Sequence, residues 1–158
     1  NPDFAMTKEN AILRLREIEL SIDSSEQRES LQFIINTLER SLEPTFWVDP
    51  TRLDPIEGEA VFIYGLEAVE RLVDLDSSEH FPLGKKVMLR GIIAQIVLVD
   101  RGLAAFEIEN RSWDLLSALD IQRAKKALQE GDAAKLEGDF VGAVESYRDA
   151  WLIIASAE

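Results

Sequence analysis

One segment constrains the fold more than any other. Residues 131–151 carry Gly131 and Gly138, seven apart, then Asp139-Phe140, then Ala143, Tyr147, Ala150 and Trp151. Spacings of four and three put Ala143, Tyr147 and Ala150 on one face of a helix. Small residues on that face let a second helix approach closely, while the tyrosine ring fills the space between the two. The Gly138-Asp139 step reads as a tight turn. Residues 124–157 therefore read as a helix, a turn and a returning helix: a packing unit in which no group is placed for chemistry.

Helical periodicity recurs upstream. Ile12, Leu15, Ile18 and Ile22 define a first helix over about residues 7–22. Ser24 and Gln27 form a capping box for a second helix, whose apolar stripe is Leu31, Ile34, Ile35, Leu38 and Leu42 and which Pro44 ends. Residues 44–54 read as an extended connector held down by Phe46, Trp47 and Leu53. Asp54-Pro55-Ile56-Glu57 has an acid at the cap, proline at the first helical position and Glu at the third. A third helix is expected from there to Leu75.

After a polar loop at 76–82 comes the most apolar stretch, Val87 to Ile108. Arg90, Gln95, Asp100, Arg101 and Glu107 interrupt it, which is too polar for a membrane span, so no membrane insertion is expected. It reads as a central, buried fourth helix. Ser112 is expected to cap a fifth helix at Trp113, with Gly131 loosening it, and a sixth runs from Asp139 to near the end. No alternating run is long enough for a convincing strand. The expectation is an all-α antiparallel bundle of about six helices. It forms one domain over 7–158, with residues 1–6 as a remnant or disordered segment ahead of it.

A length of 158 residues with 46% apolar content is enough for a real core. The net charge of −13 argues against nucleic acid, since phosphate binding needs clustered Lys and Arg, and against anionic membranes. It suits a saline or extracellular setting. Without cysteine there is neither a disulfide nor a thiolate metal site.

The single histidine, His80, has Glu79 beside it but no second ligand at metal spacing. Asp74, Asp76 and Ser78 begin like a calcium loop, but Glu79 stands where glycine should turn the chain and Lys85 where an acid should close it. No catalytic residue, metal ligand or cofactor site is assigned. Asp100 and Arg101 are the most pointed polar residues, because charges within an apolar helix need partners. They offer either a polar pocket among helices or structural ion pairs with Arg90, Glu107 or a neighbouring helix. Trp47, Trp113 and Trp151, with Tyr64 and Tyr147, stack on sugar rings if exposed and belong to the core if not.

Three segments, in order, carry a resemblance: Trp47 to Phe62, Asp100 to Ala105, and Gly138 to Trp151. The chain from about residue 28 to 155 resembles the helical modules, FIMAH-type and related, found at the C-terminal end of large secreted or cell-surface prokaryotic proteins. The closing hairpin resembles a single tetratricopeptide unit. The chain departs from the FIMAH-type pattern at Gly102, where leucine is usual, and in an added helix before residue 25. The resemblance implies a non-enzymatic accessory module of an extracellular or envelope protein, partnered by neighbouring domains, a protein or a polysaccharide. Two further expectations stand beside it: a carbohydrate-binding module using exposed Trp and Tyr, and a tetratricopeptide-like adaptor or self-assembling protein. The candidate binding residues are Trp47, Tyr147, Trp151, Asp100 and Arg101.

Overall fold

Asp3 accepts the Met6 N–H at 2.9 Å and so caps the first helix, α1, which runs Phe4–Leu20. This start lies three residues ahead of the one expected, so residues 4–6 are helical rather than a disordered lead-in. The computed structural model describes residues 2–111 and 116–157. Ser24 caps α2 (Ser25–Arg40) by accepting the Gln27 N–H at 3.3 Å. The apolar stripes of α1 and α2 are buried together, with Leu15, Ile18, Leu31 and Ile34 all at 0% exposure.

Residues 44–54 are more ordered than an extended connector. A 3-10 turn at Pro44–Phe46 leads into an antiparallel hairpin of β1 (Trp47–Asp49) and β2 (Arg52–Leu53). Trp47 pairs with Leu53 and Asp49 with Arg52. The Asp49 carboxylate makes the turn by accepting the N–H and hydroxyl of Thr51 at 2.8 and 2.6 Å. Those bonds hold its carboxyl below the usual range.

Asp54 accepts the N–H groups of Ile56 and Glu57 at 2.9 and 2.8 Å, as a cap does. It caps a turn over 54–58, however, and α3 proper spans Glu59–Ser77. Leu53 is buried at 1% exposure as the strand ends, so the chain turns off the hairpin before helical geometry takes over.

The central element is α4 (Leu83–Arg111), which packs against α1, α3, α6, α5 and β2. α5 covers Ala118–Leu136 and is capped by Ser117, which accepts the Asp120 N–H at 3.1 Å. The expected cap at Ser112 and start at Trp113 lie outside the described residues. Gly138 closes α5 at φ 81°, a left-handed conformation that glycine adopts freely. Asp139 then caps α6 (Phe140–Ala155) by accepting the Gly142 N–H at 2.9 Å. With so short a turn the two helices fold back on each other, and Ala143, Tyr147 and Ala150 are all fully buried. One apolar core runs through all six helices, so the all-α bundle holds, with the small hairpin as its only described sheet. Among the described residues, no helix is long and apolar enough to cross a membrane.

Candidate functional site

Successive helical residues point about 100° apart, so neighbours on α4 meet different parts of the bundle. Arg101 turns toward α5. Its Nε and Nη2 donate to Asp132 Oδ1 and Oδ2 at 2.7 and 3.0 Å, a two-pronged pairing of guanidinium and carboxylate. Tyr147 of α6 donates its hydroxyl to the same Asp132 Oδ1 at 2.6 Å. The Arg101 bonds, assisted by Tyr147, hold the Asp132 carboxyl below the usual carboxylate range, and the same pairing raises Arg101. Burial, then the hydrogen bond to Asp132, raises the Tyr147 phenol. The ring lies so close to the α5 backbone that a Cβ at Gly131 would overlap it. Gly131 thus seats the tyrosine inside a continuous helix instead of loosening it. One carboxylate joins α4, α5 and α6.

Asp100 turns the other way, toward α3 and α1. A Cβ at Gly65 of α3 would stand 2.9 Å from its Oδ2. The charge acting on Asp100 is Lys8 of α1, and both residues are at 0% exposure. Burial pushes the Asp100 carboxyl up to about 7, with Lys8 opposing the rise. Burial likewise lowers Lys8, with Asp100 opposing. Neither group has a hydrogen-bond partner among the described residues.

Glu107 is a third buried charge, but here the hydrogen bonds are made. It accepts from Arg52 at 3.2 and 3.4 Å and from Arg111 at 3.4 Å, pinning the hairpin to α4.

The aromatic candidates divide. Trp151 is 1% exposed, with its ring 5.6 Å from that of Phe62 and its indole N–H enclosed without an acceptor among the described residues. Tyr147 is fully enclosed as well, so neither ring of this pair is open to a ligand. Trp47 is half-buried, donates its indole N–H to the Ser41 carbonyl at 2.8 Å, and lines an open cleft of about 270 Å³ with Glu9, Leu42, Val48 and Asp49. Trp113 lies outside the described residues. In the calcium-like segment, Asp76 sits on α3 and pairs with Arg90 at 3.0 Å. Among the described residues, no group of three or more His, Asp or Glu is placed to hold a metal ion.

Of the five sequence candidates, Arg101 and Tyr147 meet through Asp132, while Asp100, Trp151 and Trp47 lie apart from that joint. Sequence reasoning passed over Lys8 and Asp132. Lys8 left a signal: it stands in register with Ala11, Ile12 and Leu15 on the buried stripe of α1, where a lysine needs a reason. Asp132 left none beyond its place next to Gly131. No family model matches this chain, and neither does any curated protein or solved structure.

Proposed function

We propose that the chain is a non-catalytic helical module that supports neighbouring domains of an extracellular or envelope protein. The observation that carries this reading is the Arg101–Asp132–Tyr147 joint, in which two of the five candidate residues are engaged in holding three helices together. The outer side of α4 also leaves Leu83, Val87 and Leu98 exposed at 80%, 68% and 58%, surface suited to lying against another domain. The likeness of the tryptophan-loop segment and closing hairpin to FIMAH-type modules supports the same reading. The test is the intact mass of the native polypeptide from its source cells. A mass far above 17.8 kDa is expected; a mass close to that value would overturn the accessory role.

A second reading rests on Trp47. Its half-buried ring beside Asp49 and Glu9 gives an aromatic face with nearby carboxylates, a pairing suited to a sugar ring. It predicts quenching of tryptophan fluorescence by a polysaccharide, lost in Trp47→Ala with the fold intact. Flat fluorescence across a broad glycan panel would dismiss it.

A further inference from the structure

Lys8 on α1 and Asp100 on α4 are both removed from solvent. Lys8 Nζ and Asp100 Oδ1 and Oδ2 have no hydrogen-bond partner among the described residues, and the two groups do not come within the 4.0 Å of an ion-pair contact. Each is nonetheless the charge that acts on the other. Three nearby charges on these helices are engaged elsewhere: Arg14 with Gln95 at 3.1 Å, Arg101 with Asp132, and Glu107 with Arg52 and Arg111. Attraction across a gap wider than a contact does not offset the desolvation of two bare charges.

A polar gap wider than about 3.5 Å between buried partners is where a bridging water belongs. The inventory of groups fits. An ammonium brings three donors and a carboxylate about four lone-pair sites, enough for the two to four partners that a buried water takes. Gly65 of α3 stands against the same carboxylate, since a Cβ there would press on Oδ2 at 2.9 Å. We propose that the seam between α1 and α4 holds an internal water site, in which one or two water molecules bridge the Lys8 ammonium to the Asp100 carboxylate beside Gly65. Water is the ligand, and it stands in for the contact that the two charges do not make.

The experiment is a water–protein NOE and ROE measurement on the isotope-labelled full chain. Cross peaks of long-lived water to the Lys8 Hε and Asp100 Hβ protons are expected, with a Lys8 Nζ shift typical of an ammonium. Absence of those cross peaks overturns the proposal, whether Nζ then reads as a neutral amine in a dry pair or as an ammonium. A scalar coupling from Nζ to the Asp100 carboxyl carbon also overturns it, by showing direct contact. The double variant Lys8→Met/Asp100→Leu removes both charges, and the water signal at the Gly65 Hα protons is expected to disappear with them. A signal that persists there would detach the water from the pair. Should that variant fail to fold, the wild-type measurement alone decides.

Discussion

Asp100 and Arg101 are adjacent on α4 and meet opposite circumstances. Arg101 reaches a joint where both partners keep some contact with solvent, the side chains of Arg101 and Asp132 being 37% and 34% exposed. There a two-pronged hydrogen-bonded pairing and residual hydration satisfy both charges, and the tyrosine hydroxyl adds a third helix. Asp100 enters a seam at 0% exposure, where its counter-charge is present but not in contact. Being charged and central therefore says little about a residue's contribution. Hydrogen bonding and the reach of water decide it. The joint holds helices together, whereas the seam is maintained by the packing around it.

The largest expected effect comes from splitting the seam. Measured above pH 7, where Asp100 is ionised in the parent, Lys8→Met leaves a buried carboxyl group without its counter-charge and should destabilise the fold by about 3–5 kcal/mol, and Asp100→Leu should act similarly on the ammonium. Together the two substitutions remove both charges, and the double variant should return to within about 1 kcal/mol of the parent or exceed it. Urea unfolding of all four proteins closes the cycle. Simple addition of the two single losses would show that the residues do not act on one another.

The same contrast has a pH signature. Asp100 titrates near 7 when folded and near the ordinary 3.8 when unfolded. Between about pH 4 and pH 7 the folded chain holds a proton that the unfolded chain has released. This group's contribution is therefore full below pH 4 and is lost as pH rises to 7. Lys8 is shifted down, so its contribution is lost as pH falls from the ordinary 10.5 through its lowered value. Asp132 behaves oppositely to Asp100: its carboxyl is depressed, so its contribution is present above the ordinary carboxylate range and is lost on acidification. Melting curves of the parent and Asp100→Asn across pH 4–7 isolate the seam. The parent should lose stability relative to the variant as pH rises, and a constant difference would remove Asp100 as the titrating group.

The sequence made the joint half visible and the seam less so. The six helices were legible because their apolar stripes are long, and Ser24 acts as the cap its position suggests. The hairpin at 47–53 was not, since strands of three and two residues are too short for alternation to register. Asp54-Pro55 signals a helix start correctly in its hydrogen bonds and wrongly in its position, because the chain has to leave β2 first. Gly131 suggested a weakness; only the Tyr147 ring against its backbone explains it, and that contact spans two helices. Gly102 is explained the same way, by the ring of Phe4, over which a Cβ would collide. Lys8 was readable in principle as the one charge on the apolar stripe of α1, but its distance from Asp100 along the chain hid the pairing.

At the joint, packing rather than charge sets the expected scale. Gly131→Ala places a methyl group into the Tyr147 ring, and the ring is tied to Asp132, so relief requires α6 to shift. A loss of about 1–3 kcal/mol follows from overpacking. The tyrosine–carboxylate bond should weaken with it, visible as a downward move of the phenol titration toward its ordinary value. An unchanged denaturation midpoint would mean that the ring is freer than its enclosure implies.

The smallest effect belongs to a more exposed pair that makes no two-pronged contact. Arg16 and Glu39 approach at 3.1 Å across α1 and α2, with side chains 51% and 46% exposed. Water and salt screen this contact, and two long side chains lose freedom to make it. Arg16→Gln should change stability by no more than about 0.5 kcal/mol, less still in added salt. The value of the measurement lies in its ratio to the effect of Lys8→Met. If the exposed pair matched the buried one, burial would not be what separates the two regions, and the contrast between Asp100 and Arg101 would need another cause.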